Sequence, residues 1–384
     1  MFTENFEIIL LFFAVISFCL WMYERFYWVK KVSLIMLILF VCGILGNVGI
    51  IPTRHVVYDT LNNYCVPLAV VFILLGVRIS DLKKTGWPML CTFMLASIAS
   101  FIGCLLGGIF LYNWFESILQ ADAWKVVGPY IGTYIGGSIN FFALWQGLEI
   151  HDQNLFVAAN AVDNITFFPI FLFWVLATEW LSKYMYCSEE ENYDQQEQGT
   201  EEKFILPHII NLFLLAFCII YCSNFIKTTC NRIFPDTWIT KIPSILYTTT
   251  FAIILAQFSF IQKWQGTKNL SNLAFYLFFC SVGAMIDIKQ AISLAPILFV
   301  FVLIVIVVQI LIVLIFGKLF RIDLRMIATC SIAAKLGPSS VMAFTNTKQW
   351  HSLVLPGMAA ALLGYAIGNY FGFAGAYLLK FVMQ

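Results

Sequence analysis

Uninterrupted apolar runs recur along this chain, and they decide which solvent it folds in. From Leu298 to Phe316 the only polar side chain is Gln309. A helix needs about 20 such residues to cross a bilayer. Inside hydrocarbon, only a helix or a closed barrel satisfies its own backbone hydrogen bonds. Candidate crossings lie at about 5–23, 32–51, 62–77, 87–112, 152–181, 204–224, 242–262, 270–285, 291–317 and 353–379. Composition agrees: 61% of residues are hydrophobic, 11% are charged, and mean hydropathy is +0.87. Soluble chains hold about 45–50% apolar and about 25% charged residues. A soluble enzyme, a disordered chain and a coiled coil are thereby excluded. With 22 basic against 21 acidic residues, no charge excess points to nucleic acid. The expectation is an all-α, multi-pass membrane protein whose first partner is the lipid bilayer.

Two further apolar stretches, 124–150 and 326–349, are interrupted near their middles by Gly136-Gly137-Ser138 and Gly337-Pro338-Ser339. A helix does not run comfortably through such sequences. Aligning Gly136 with Gly337 exposes a repeat: four crossings, a broken stretch, then a long crossing, twice over. The run Gly76-Val77-Arg78-Ile79-Ser80-Asp81-Leu82-Lys83 has an echo in Gly283-Ala284-Met285-Ile286-Asp287-Ile288-Lys289. The halves are 1–182 and 203–384. Between them lies a linker, 183–202, whose Ser188–Glu202 part holds six Glu and one Asp; so charged a segment is solvated.

Cytoplasmic loops carry an excess of Lys and Arg. If every segment crosses, the basic residues divide almost evenly between the two sides. If both broken stretches turn back as re-entrant hairpins, the basic residues gather on one side. The N-terminus is then outside and the acidic linker cytoplasmic, with Lys227, Arg232 and Lys241 remaining on the other face. Five crossings per half give the halves opposite topology. Inverted repeats with irregular backbone at membrane depth mark secondary transporters. Such backbone survives only where it is buried in protein or lines a watery cavity.

Asp163 stands some eleven residues into the crossing at 152–181, roughly 16 Å deep at 1.5 Å per residue. An intramembrane carboxylate costs about 2.5–3.5 kcal/mol on insertion scales and so calls for a partner or a function. Lys335, two residues before the second interruption, is the natural counter-charge. One reading is a structural ion pair joining the halves. The other is a site in which Asp163 binds Na⁺ or carries a proton and Lys335 receives an anion. Around the interruptions gather Thr133, Gly136, Ser138, Asn140, Ser339, Ser340, Thr345 and Asn346. Asn160, Asn164, Gly364, Tyr365, Gly368 and Asn369 lie on the crossings that follow. Their hydroxyl, amide and carbonyl oxygens are hard ligands, suited to Na⁺. Small residues also permit close helix packing, which accounts for some of them but less well for their gathering at the breaks. Half-helices beginning near Ser138 and Ser339 would point positive ends inward, which favours a carboxylate. Neither hairpin contains an arginine. The expected cation set is Thr133, Gly136, Asn160, Asp163, Asn164 and Thr345. The expected solute set is Ser138, Asn140, Lys335, Ser339, Ser340 and Asn369.

Other chemistry finds no support. The eleven cysteines form no Cys-x-x-Cys pair and mostly sit in apolar runs, as small packing residues do. His55, His151, His208 and His351 fall at the ends of crossings without metal-ligand spacing. Glu4 and Glu7 without a basic region do not read as a cleaved signal peptide. No nucleophile-and-base pair or carboxylate dyad accompanies Asp163, so an enzyme is not expected and neither is a resident cofactor.

The runs Gly132-Thr133-Tyr134-Ile135-Gly136-Gly137-Ser138-Ile139-Asn140-Phe141, Ala161-Val162-Asp163-Asn164, Trp350-His351-Ser352-Leu353-Val354-Leu355-Pro356-Gly357 and Leu363-Gly364-Tyr365-Ala366-Ile367-Gly368-Asn369 resemble the YjcL-like integral membrane proteins. That family is unassigned in function, and the resemblance covers nearly the whole chain. More distantly, the layout resembles sodium–glutamate and 2-hydroxycarboxylate symporters. That likeness implies paired hairpins binding Na⁺ and a carboxylate near Ser138, Asn140, Asp163, Ser339 and Ser340. It also implies a homodimer whose transport domains move as elevators. The expected activity is Na⁺-coupled symport of a small organic solute across the inner (plasma) membrane. The alternative is a cation/proton antiporter in which Asp163 exchanges Na⁺ for a proton.

Overall fold

The computed structural model describes residues 4–26, 34–77, 86–188, 205–234 and 242–383. Most of the acidic linker, the first of the two echoing runs from Arg78 onward, and Lys241 lie outside them. The described residues are helical, without strands: α1 (Asn5–Arg25), α2 (Leu34–Asn47), α3 (Val56–Leu75), α4 (Trp87–Phe110), α5 (Tyr112–Leu119), α6 (Val127–Gly136), α7 (Ser138–Gly147), α8 (Gln153–Ile165), α9 (Phe167–Leu181), α10 (Leu206–Ile233), α11 (Ser244–Leu255), α12 (Thr267–Met285), α13 (Ile288–Leu319), α14 (Leu324–Thr347) and α15 (Val354–Met383). Short 3₁₀ turns lead into α6 and α15.

Among the described residues, eight helical segments are long and apolar enough to cross a membrane. The chain is an all-α, multi-pass membrane protein. α2 and α11 are shorter than a crossing. The stretch at 152–181, expected as one long helix, is interrupted at Thr166, where α8 gives way to α9. Pro169, three residues on, has no N–H to donate back to Ile165, and the ladder resumes with the Ile170 N–H on the Thr166 carbonyl.

The chain forms two compact units, each drawing segments from both halves of the sequence. The first comprises Met1–Ile73, His151–Ile165 and Thr267–Phe299. In it α2 and α12 touch backbone to backbone: β-carbons on Gly46 and Gly283 would lie 2.5 and 2.6 Å from the carbonyls of Ala284 and Leu39. Asn47 donates to the Ile286 carbonyl at 2.8 Å, and Ser281 to Asn62 Oδ1 at 2.6 Å. Phe12 stacks on Tyr58, and Phe156 meets Phe278 edge-on. Cys19, Cys42, Cys65 and Cys280, from four different helices, are all buried here.

The second unit comprises Leu74–Ile150, Thr166–Gly266 and Val300–Gln384. At its centre α6 and α15 run antiparallel with paired glycine series: Gly128, Gly132 and Gly136 face Gly372, Gly368 and Gly364. A β-carbon on Gly372 would lie 2.8 Å from the Gly128 carbonyl, one on Gly368 3.1 Å from that of Gly132, and one on Gly364 would strike that of Ile135. Only hydrogen fits between such backbones, the arrangement that small residues at four-residue spacing permit in membranes. α4 approaches α13 in the same way, with Gly103 set against Val305. The most apolar stretch of α14 is 72% buried, against 28% for α1 and for α10, so α14 is enclosed by protein instead of lipid.

Candidate functional site

Both sequence interruptions are breaks in the backbone. Gly137, between α6 and α7, has φ 76° and ψ 178°; Gly337, within α14, has φ 78° and ψ −178°. This region is open essentially to glycine alone. The matched angles pair Gly137 with Gly337, one residue away from the Gly136–Gly337 alignment expected from sequence. The Gly137 N–H closes α6 on the Thr133 carbonyl at 2.8 Å, and the Asn140 N–H opens α7 on the Gly137 carbonyl at 3.0 Å. In α14, Pro338 starts the new half-helix, a position where its missing N–H costs nothing.

Tyr365 of α15 lies against both breaks. Its ring is 3.4 Å from where a β-carbon on Gly137 would be, and its hydroxyl is 3.1 Å from where one on Gly337 would be. Lys335, 4% exposed, reaches from α14 to the other broken element. Its ammonium donates to the Tyr134 hydroxyl at 2.8 Å and to Thr166 Oγ1 at 3.2 Å, and it lies 4.1 Å from the centre of the Tyr134 ring. The buried ammonium thus meets two hydroxyl oxygens and a ring face.

Asn140 fills the notch left by absent side chains at Gly136 and Gly368, and its Nδ2 donates to the Gly364 carbonyl at 3.1 Å. Thr133 is fully buried. Ser340 and Thr345 turn their hydroxyls back to the carbonyls of Leu336 and Val341 on their own helix. Asn369 donates to Thr249 Oγ1 on α11 at 3.0 Å, while its Oδ1 is buried without a hydrogen-bond partner. Ser138 is half-buried and Ser339 exposed. Asn160, Asp163 and Asn164 belong to the first unit. They share one face of α8, Asp163 is 8% exposed, and Asn164 donates to Asn160 Oδ1 at 3.1 Å. The expected residues are therefore divided between the two units. In the second, the structure brings Gly136 to Asn140 and Lys335 to Tyr134 of α6, while Thr345 is bonded within its own helix and Asn369 is bonded to α11.

At its N-terminal end the second broken element is anchored by a buried pair. Asp323 caps α14 through the Arg325 N–H and bonds the Arg325 guanidinium at 3.0 Å, and the Ser188 hydroxyl meets both side chains. The Leu324 N–H bonds the Tyr186 carbonyl. Partial desolvation, reinforced by Asp323, pushes the nearby Cys187 thiol above its ordinary pKa.

Sequence reasoning did not assign roles to Tyr134 or Thr166. It left Tyr365 undistinguished among the polar residues. Pro169 was the available signal for the break at Thr166, and the two Gly-x-x-x-Gly-x-x-x-Gly series were the signal for the α6–α15 contact. Among the described residues, no three His, Cys, Asp or Glu side chains gather as metal ligands. The oxygens around the breaks suit an alkali cation or a polar solute instead.

The family described as a protein of unknown function (DUF819) matches residues 10–382. The uncharacterized membrane protein YjcL of Bacillus subtilis (strain 168) is 29% identical over 377 residues, covering 94% of this chain and 93% of that protein.

Proposed function

We propose that this chain, which belongs to the DUF819 family of membrane proteins of unknown function, is a secondary transporter of a small organic anion. The observation that carries the reading is the pair of matched breaks at Gly137 and Gly337, both against Tyr365, with Lys335 bonded from one broken element to the other. In this reading the broken elements are re-entrant hairpins of two inverted repeats, 1–182 and 203–384, with the N-terminus outside the inner membrane. The burial of α14 supports the hairpins, because irregular backbone at membrane depth must be shielded from lipid.

Symport with Na⁺ is the leading form. The oxygens of Asn160, Asp163 and Asn164 on one face of α8 take the cation; Thr133, Gly136 and Thr345, the other cation ligands expected from sequence, belong to the second unit. Lys335, with Ser138, Asn140, Ser339, Ser340 and Asn369, takes the carboxylate. A homodimer moving its solute domains as elevators completes the proposal. The test is thermal unfolding of the purified protein in Na⁺ or K⁺, with and without organic acids. A ligand at about a hundred times its Kd contributes ~2.7 kcal/mol to stability. Na⁺ is expected to raise the melting temperature where K⁺ does not, and Asp163→Asn to remove that rise. Lys335→Met is expected to keep the Na⁺ response and lose the response to acids. An absent Na⁺ response, or one unchanged in Asp163→Asn, removes the sodium assignment.

A second reading rests on the burial of Asp163: a cation/proton antiporter in which that carboxylate exchanges the two ions. Na⁺ binding would then release a proton and weaken steeply as pH falls.

A further inference from the structure

Four cysteines from four helices converge inside the first unit: Cys19 of α1, Cys42 of α2, Cys65 of α3 and Cys280 of α12. Cys19, Cys42 and Cys280 are fully buried, and Cys65 nearly so. The Cys280 and Cys42 thiols share a hydrogen bond, and Cys19 and Cys65 lie within electrostatic reach of Cys280. Packing alone asks only that a cysteine be small and apolar. Cys42 and Cys280 are placed more narrowly than that.

α2 and α12 run parallel, since their contacts rise together: Leu39 with Gly283, Gly46 with Ala284, Asn47 with Ile286. A β-carbon on Gly283 would lie 2.9 Å from Cys42 Cβ. Ordinary helix pairs stand about 8–10 Å apart. A disulfide requires α-carbons about 4.4–6.8 Å apart, so only a crossing as close as this one admits it between helices. Cys280 is one turn before Gly283 on the same face of α12. Helical side chains lean towards their own N-terminus. In a parallel pair, that lean carries the Cys42 thiol from the level of Gly283 towards Cys280, where the hydrogen bond joins them.

A metal fits this pair poorly. Among the described residues no three His, Cys, Asp or Glu side chains gather as ligands, and two thiolates would bring charge into an apolar interior. A disulfide is neutral. We infer that Cys42 and Cys280 are a dithiol–disulfide pair, a covalent modification site that joins α2 of the first half of the sequence to α12 of the second. Oxidation breaks two S–H bonds and forms one S–S bond, releasing two electrons and two protons. A lipid-soluble quinone is the oxidant: it takes up both electrons and both protons to become a hydroquinone, and it dissolves in the same apolar phase as the pair. Local opening of the packed helices sets the rate. A charged, water-soluble disulfide does not reach thiols so enclosed.

The test uses the full-length protein in proteoliposomes, treated with decylubiquinone or, separately, with oxidised glutathione. The protein is then denatured, alkylated with N-ethylmaleimide, digested and mapped by mass spectrometry. With the quinone, alkylated cysteines are expected to fall from eleven to nine, and one cross-linked peptide pair to contain Cys42 and Cys280. Dithiothreitol should return both to the alkylated pool. Oxidised glutathione should leave the two unlinked. Cys280→Ser should abolish the cross-link and leave Cys42 alkylated; should that variant not fold, the map of the unsubstituted protein decides alone. Full alkylation of both cysteines after quinone treatment, a link from either one to Cys19 or Cys65, or equal linking by oxidised glutathione would overturn the inference. No sample contains a candidate solute, so the outcome is independent of the transport reading.

Discussion

Gly137 and Gly337 share a backbone conformation, yet substitution should not affect them equally. Forcing an L-residue into that region costs about 1–3 kcal/mol at either position. At Gly337 the new methyl also meets the Tyr365 hydroxyl, whereas at Gly137 it meets only the ring at ordinary contact distance. Gly337→Ala is therefore expected to lower the melting temperature more than Gly137→Ala. Adding Tyr365→Phe should recover the difference but not the common part. Differential scanning fluorimetry of the four variants checks this; equal losses in the two glycine variants would count against the placement of Tyr365. At this scale much was legible in advance. Glycine and proline in an apolar stretch announce a break, and a charged side chain within an apolar run, as at Lys335 and Asp163, announces burial. The partners of Lys335 were hidden, because a tyrosine or threonine within an apolar run carries no mark of the helix face it occupies.

Among the elements, α14 depends most on its entrance. Asp323 and Arg325 are 6% and 7% exposed and bonded to each other. Removing one member of such a pair strands a buried charge, at a cost of about 3–5 kcal/mol. Arg325→Met should be severely destabilised, while Asp323→Asn with Arg325→Met together should regain most of the loss. Melting temperatures of the two single variants and the double variant decide it, and strict additivity would contradict a paired role. Element boundaries followed the apolar runs where Gly and Pro punctuate them. They failed at 152–181, where hydrophobicity continues smoothly through a backbone that Pro169 interrupts, and at α2 and α11, whose apolar character outlasts their helical length. Transfer energy responds to side chains, but a helix also requires each N–H to find its carbonyl.

For the whole molecule, the proposed topology places the chain just before the acidic linker in the cytoplasm. Cys187 is exposed there. In a variant whose other cysteines are replaced by Ala, a membrane-impermeant maleimide should label inverted vesicles and leave right-side-out vesicles unlabelled. The opposite pattern would reverse the orientation. The membrane class was readable from composition alone. The grouping of segments into two units was not, because an apolar face is compatible with any other apolar face until shape chooses between them.

The facing glycine series of α6 and α15 carries a mechanical consequence. With backbone set against backbone, and the Asn140 and Leu144 side chains of α7 seated in the notches at Gly136/Gly368 and Gly132/Gly372, the two backbones cannot creep past one another by fractions of a turn. A shift has to carry each hydrogen-sized gap to the next, four residues along, and so passes through a collision at every intermediate register. The first broken helix and the last helix are thus geared together. Whatever displacement this protein undergoes, those two travel as a single rod pair, and Tyr365 rides with them.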